Sequence, residues 1–317
     1  MRWQALGTAA TLVTVAYAAV TLVSSNLSFG AAQPQRWAAR DFPNVELTTQ
    51  DGAKVRFYDD LLKGKSVAID LIYTDCKDEC PLETARLVQV QKLLGDRVGK
   101  DLFMYSISID PKHDTPEVLK DYADKFHAGP GWLFLTGDEN DIHAIAKKLG
   151  MPYDLDATSA DGHGPTVMLG DEPTGQWMLR SAEDNPRFMA ANIRTFFGWP
   201  SDEPAPSYAE AKPLQIDRGG YIFQTRCVGC HTVGQGDLVG PDLAGVTTRR
   251  DSDWLHNYIY APDEMLANGD PIASALYEKY RRVRMPNLSL DSDDVDAVIA
   301  YLNQQSAKAN PAAPSPD

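Results

Sequence analysis

Two pairs of cysteines carry most of the chemistry open to this sequence. The first lies in Cys227-Val228-Gly229-Cys230-His231. Two thiols separated by two residues, followed at once by an imidazole, have the spacing for covalent attachment of a c-type haem. Each thiol adds to one vinyl group of the porphyrin, and His231 reaches the iron as proximal ligand. The same residues also read as a redox dithiol with a chance histidine beside it. The second pair, Cys76 and Cys80, lies in Tyr73-Thr74-Asp75-Cys76-Lys77-Asp78-Glu79-Cys80-Pro81. C-x-x-x-C is one residue longer than a thioredoxin-type dithiol. On a helix the two sulfurs fall at i and i+4 on one face, where they can close a disulfide or hold one soft metal ion.

The elements around these pairs are legible from period and punctuation. Val67–Tyr73, Leu102–Ile109, Trp132–Leu135 and Thr166–Leu169 read as buried strands, and Pro81–Leu94, Pro116–Phe126 and Asp141–Leu149 as helices. The alternation implies a sheet with parallel βαβ elements. Cys76 and Cys80 then leave a strand and enter a helix, where the helix N-terminus favours a thiolate. Further on the pattern is helical only: Gln215–Arg226, Ser252–Tyr260, Ile272–Arg281 and Ser292–Leu302, with Asp291 as N-cap of the last. The acidic run Asp291–Asp296 reads as capping and dipole chemistry, not as a binding site.

With 317 residues the chain has room for two ordinary domains and extras. A formal net charge of −14 argues against nucleic acid or an anionic lipid surface as partner. Ala5–Val23 is uncharged and mostly apolar behind Arg2, long enough to cross a bilayer with Arg2 left in the cytoplasm. It reads as an uncleaved anchor, or as a signal cleaved after Ala18. Either reading puts the bulk of the chain outside the cytoplasm. The expected organisation is an anchor or signal over residues 1–32, an α/β domain over 33–200, a Pro- and acid-rich linker over 201–213, a small all-α domain over 214–303 and a disordered tail over 304–317.

Residues 40–198 resemble the Sco/SenC family of copper proteins. The resemblance rests on Tyr73-Thr74-Asp75-Cys76-Lys77-Asp78-Glu79-Cys80-Pro81 and on Ser108-Ile109-Asp110-Pro111-Lys112-His113-Asp114-Thr115-Pro116-Glu117. It implies a thioredoxin-like fold, copper held by Cys76, Cys80 and a distant histidine, and a part in metallating the binuclear copper centre of respiratory oxidases. By position that histidine is His163, in Asp161-Gly162-His163-Gly164-Pro165. Two thiolates and an imidazole are soft enough for Cu(I) and can also hold Cu(II), whereas zinc usually takes a fourth ligand. Lys77 stands where the family commonly has proline, and Gly164 where it commonly has a small hydroxyl residue. Neither departure removes a ligand. The other reading of Cys76 and Cys80 is a structural disulfide, and of His163 a solvated loop residue. His113, His127 and His143 read as surface residues or as neighbours of the site, and Asp110 as a turn residue or an orienting one.

Residues 214–303 resemble the small class I cytochromes c. Gly240-Pro241-Asp242-Leu243 matches the segment that buttresses the proximal histidine, and Met285, in Met285-Pro286-Asn287, is the implied second axial ligand. His256 and Met265 are its rivals, and a core methionine is the alternative. Lys279, Arg281, Arg282 and Arg284 form a basic cluster before Met285, read as a docking edge, a partner for a haem propionate or a solvated face.

Together these features describe a copper metallochaperone and electron-transfer protein more than a turnover enzyme, with the enzyme question left open. Its cofactors are copper and haem c, and its partners a copper-containing respiratory oxidase subunit or another copper enzyme, redox proteins, and the membrane through the N-terminal segment. The expected location is the cytoplasmic membrane with the soluble domains in the periplasm, or the periplasm itself if the segment is cleaved. The alternative is a thiol-disulfide oxidoreductase or redox sensor that cycles Cys76 and Cys80 with the haem as electron relay.

Overall fold

The computed structural model describes residues 35–37, 39–76, 79–151, 153, 164–200 and 217–309. The N-terminal segment, the linker at 201–213, Lys77 and His163 lie outside the described residues. Among the described residues no helix is long and apolar enough to cross a membrane.

An eight-stranded sheet organises the first domain. Its strands are β1 (Gln35–Arg36), β2 (Glu46–Thr49), β3 (Lys54–Arg56), β4 (Ser66–Ile72), β5 (Phe103–Ser108), β6 (Trp132–Gly137), β7 (Thr166–Asp171) and β8 (Gln176–Ser181), in the order β1-β8-β7-β4-β5-β6-β2-β3. β4, β5 and β6 run parallel, and the remaining pairs are antiparallel. The parallel centre matches the expectation from alternation. The short β2–β3 hairpin at one edge and the second strand of the β7–β8 hairpin carry too little period to be read in advance; the helix after them, Pro186–Phe196, has helical period and an Asn185 cap but was not among the expected elements.

Alternation along β4 decides what lies on each side. Val67, Ile69 and Leu71 face a cluster with Phe57, Leu61 and the helix α3 (Glu139–Leu149). Ala68 and Ile72 face the opposite cluster, built with α1 (Glu79–Leu94), α2 (Pro116–Phe126) and α4 (Pro186–Phe196). The helices begin where side-chain oxygens satisfy their first amides: Thr115 accepts from Val118 N, Asp138 from Asn140 N and Asp141 N, and Asn185 from Arg187 N. α2 ends on His127, whose left-handed backbone (φ 59°) turns the chain out of the helix. That caps a helix with one of the histidines read as surface residues. His113 is exposed and bonded to Asp110, and His143 is half-buried against the Tyr153 ring.

The second domain is helical, with α5 (Arg218–Ile222) running through a π-helical turn to Cys227, then α6 (Val246–Arg249), α7 (Ser252–Tyr260), α8 (Pro262–Ala267), α9 (Pro271–Lys279) and α10 (Ser292–Ala309). Asp291 caps α10 by accepting from Asp294 N at 2.8 Å. α10 runs on to Ala309, through the first residues of the stretch read as a tail, because Val295, Val298 and Leu302 anchor it in the domain core.

α1 links the two domains. From Cys80 to Gln91 it is buried almost throughout, although Glu83, Thr84, Arg86, Gln89 and Gln91 make it polar around its circumference. One side packs on the sheet. On another, Leu82 joins the core of the helical domain, while Cys230 and Val283 of that domain pack on the α/β core and Val239 belongs to it. Residues 34–317 form one compact unit.

Candidate metal and haem centres

The chain leaves β4 at Ile72, makes a turn in which Cys76 N donates to Tyr73 O, and enters α1 at Glu79. Cys80 N, in the first turn of α1, donates to Cys76 Sγ at 3.3 Å. Cys76 is half-buried and Cys80 fully buried. The hydrogen bond to Cys76 pushes the Cys80 thiol strongly up, and burial and the Cys76 charge add to it. Two sulfurs this close disfavour ionising together, and a soft cation would take the place of their protons.

Asp114, which sequence reasoning left without a role, fixes that turn. Its carboxylate is buried and accepts from Thr74 N at 3.1 Å, from Thr74 Oγ1 at 2.5 Å and from Ser108 Oγ. Burial raises its pKa against these lowering hydrogen bonds. Thr74 stands two residues before Cys76 and Ser108 ends β5, so Asp114 ties the cysteine loop to the neighbouring strand. Its position inside the Ser108–Glu117 motif was the signal available. Asp114→Ala leaves a buried amide and two hydroxyls without their acceptor, and should destabilise the α/β domain by about 1–3 kcal/mol. Urea unfolding followed by Trp fluorescence measures this, together with faster alkylation of Cys76.

The third expected copper residue, His163, lies outside the described residues. β7 begins at Thr166 and pairs antiparallel with β4, with Asp70 opposite Val167. The chain therefore enters β7 at the end of the sheet from which β4 departs toward Cys76. Among the described residues no group of three or more His, Cys, Asp and Glu could hold a metal.

In the helical domain an apolar cavity of about 150 Å³ is lined by Cys227, Cys230, His231 and Met285, among others. His231 Nδ1 donates to Pro241 O at 2.8 Å, which assigns the proton to Nδ1 and leaves Nε2 as the nitrogen with a lone pair. Burial lowers the His231 pKa and keeps the ring neutral, as a metal ligand requires. Gly240 is needed for this arrangement, since a β-carbon there would come within 2.6 Å of the His231 ring. Asp242 organises the loop that follows: it accepts from Gly234 N, Gly236 N and Ala244 N, and these amides outweigh burial to hold its pKa far below the usual carboxylate range.

Burial pushes the Cys227 and Cys230 thiols up to about 12. A pair held neutral is a poor exchange nucleophile, which weighs against the redox-dithiol reading of this motif. Arg249, Arg250 and Arg284 also line the cavity, and are cations suited to the propionates of a porphyrin. The residues present fit a covalent haem. Of the rivals to Met285, His256 bonds Ser292 Oγ at 3.0 Å, and neither it nor Met265 lines the cavity. The basic cluster is engaged within the chain: Lys279 with Asp237, Arg281 with Asp121, Arg282 with Glu278.

A parallel βαβ unit followed by a hairpin and helix, giving the order β8-β7-β4-β5 with a dithiol where the first helix begins, defines a thioredoxin-like protein, here joined to a cytochrome c domain. The chain belongs to the SCO1/SenC family, whose model matches residues 35–198, and the cytochrome c model matches residues 216–306. It is similar to a SCO2-like protein of Rickettsia felis, 35% identical over 126 residues that make up 40% of this chain and 58% of that one. It is also similar to a SCO1 protein homolog of Bacillus subtilis, 36% identical over 101 residues, 31% of this chain and 51% of that one. A solved SCO1/SenC family lipoprotein from Bacillus anthracis is 27% identical with a TM-score of 0.44, over 52% of this chain and 97% of that one. The chain spans about half the length of the curated relatives it matches.

Proposed function

We propose that this protein is a membrane-tethered periplasmic copper chaperone for assembly of a respiratory copper centre, such as the binuclear site of cytochrome c oxidase, with its haem c giving one-electron control of the bound copper. The observation that carries this reading is the sulfur pair at the start of α1, where Cys80 N donates to Cys76 Sγ and brings two soft donors within one helical turn of each other. Cys76, Cys80 and His163 would hold the copper. Cys227 and Cys230 would hold the haem covalently, with His231 and Met285 on its iron. The relatives lend support: one from Stutzerimonas stutzeri is described as a putative copper-binding protein, and solved family members from Arabidopsis thaliana and yeast are described with copper bound. A Bacillus member is described as belonging to a family of cytochrome c oxidase assembly proteins.

One haem passes one electron, which matches Cu(II) to Cu(I), while reducing a disulfide takes two. Bound haem supplies that one-electron chemistry. The chain's own residues keep His231 neutral and oriented, line the cavity with mostly apolar side chains and hold the two sulfurs at one helix end.

Anaerobic titration of the haem-loaded full chain with copper tests the reading. Wild type should bind one equivalent, Cys76→Ala and His163→Ala should each lose it, and the haem spectrum should respond to Cu(II). A reversible Cys76–Cys80 disulfide with no copper bound at one equivalent would turn the assignment to a thiol-disulfide oxidoreductase.

A further inference from the structure

The contact between the two domains is made by the elements that carry the two redox centres. Cys80 opens α1, and the same helix presents Leu82, Ala85, Arg86 and Gln89 to the loop that contains Cys227 and Cys230. Arg86 is 5% exposed, and its Nη2 donates to Thr225 O at 2.8 Å. Gln89 Nε2 donates to Val228 O at 2.7 Å. Gly229, between the two haem cysteines, lies flush on the helix, since a β-carbon there would stand 3.5 Å from Ala85 Cβ. Cys230 itself packs on the α/β core.

The loop that brings Met285 is gripped from the same domain. Arg281 donates to Asp121 of α2 at 3.1 Å, and Val283 packs on the α/β core. Arg281 and Arg282 both adopt left-handed backbone, φ 57° and 62°. Two consecutive side-chain-bearing residues in that region persist only where surrounding contacts hold them. The α/β domain thus holds the loops on both sides of the cavity.

Separation along α1 is short. Ala85 is five residues beyond Cys80, about 7.5 Å of helix rise, across a helix about 10 Å wide. Arg86 is also the cation buried in this contact, acted on by the Glu183 and Glu83 carboxylates.

We propose that this interface is an intramolecular electron-transfer contact, in which α1 and α2 hold the haem-ligand loops against the dithiol domain and Arg86 is the positioning residue. The step moves one electron: haem Fe(II) becomes Fe(III) as Cu(II) at the sulfur pair becomes Cu(I), with no proton or leaving group. This rests on the copper reading above. Because the edge carrying Cys230 is covered by the chain itself, the copper domain is the built-in partner of the haem. A buried guanidinium beside the attachment loop also favours Fe(II) over Fe(III).

The test uses the full chain loaded with haem and copper, as wild type, Arg86→Met and Arg86→Lys. Haem is reduced by a light flash and its reoxidation by Cu(II) followed, and the haem midpoint potential is measured separately on copper-free protein. Wild type should react at a rate independent of protein concentration. Arg86→Met should slow that rate at least tenfold and shift the one-electron equilibrium about tenfold toward Fe(III), about 59 mV lower in potential. Arg86→Lys, which keeps the charge without the planar fork, should recover the potential but not the full rate. Copper stoichiometry should be the same in all three. If Arg86→Met fails to accumulate, Gln89→Leu, which loses only the bond to Val228 O, should show the same slowing. A wild-type rate that rises with protein concentration overturns the proposal, as do unchanged rate and potential in Arg86→Met with both cofactors bound. Wild type that binds copper but never exchanges an electron with it overturns the copper-haem reading together with this one.

Discussion

Replacing both Cys227 and Cys230 by alanine should give a chain without covalent haem whose helical domain is strongly destabilised. Among the described residues the core of that domain includes Phe223, Leu255, Val295 and Leu302, in a cluster of ten buried apolar residues beside the cavity that His231 and Met285 line. An unfilled cavity costs about 24 cal/mol per Å³. At about 150 Å³ this amounts to about 4 kcal/mol, a large part of the stability of an ordinary domain. The variant should show no haemochrome spectrum, lose helical circular dichroism and be cut by protease between residues 218 and 309, while the α/β domain remains protected. Uncovering Leu82, Ala85 and Arg86 on α1 should lower the melting temperature of that domain too. Equal protease resistance with and without haem would mean that the cavity closes on itself, and would remove haem from the folding of the domain.

Asp70→Asn should change how stability depends on pH. Asp70 lies in β4 and is fully buried; its Oδ1 accepts from Ser106 Oγ at 2.8 Å, and Ser106 in turn accepts from Trp132 Nε1 at 2.9 Å. Asp70 Oδ2 has no partner among the described residues. Burial raises the Asp70 pKa from 3.8 to about 7, against the lowering effect of Ser106 and the backbone. The folded chain therefore keeps a proton that the unfolded chain releases at lower pH. Stability falls as pH rises above about 4 and stops falling once pH has passed about 7. Three pK units at about 1.4 kcal/mol each set a ceiling of about 4 kcal/mol on the loss. Asn keeps the oxygen that Ser106 needs and never ionises. Urea unfolding at pH 5 and pH 8 should show wild type losing about 2–3 kcal/mol more than Asp70→Asn between the two. Parallel pH profiles would exclude Asp70 as the group responsible.

α2 shows what was legible. Thr115-Pro116 starts it, its apolar positions Leu119, Tyr122, Ala123 and Phe126 recur at helical spacing, and the structure gives the bounds Pro116–Phe126 read from the sequence. α1 shows the opposite. Glu83, Arg86 and Gln89 have the composition of a solvated face, so sequence reasoning gave them no role, yet Glu83 is buried and Arg86 and Gln89 are bonded to the helical domain. Asp70 was likewise absorbed into an apolar strand, because nothing local distinguishes a buried carboxylate from one at a strand end. Asp291 could be read as a cap because capping is decided within four residues.

The sequence by itself determined where the two cysteine pairs lie, the family, the alternating and helical character of the two parts and most of the helices, because thiol spacing, hydrophobic period and end-capping are all local in the chain. Tertiary structure alone decided that Asp114 fastens the Cys76 turn, that Asp70 holds a proton inside the sheet, and that the loops carrying Cys230 and Val283 lie on α1 and α2. Each of these joins residues from 36 to about 160 positions apart. Burial and close approach over such separations depend on how whole elements pack, and no short stretch of sequence records them.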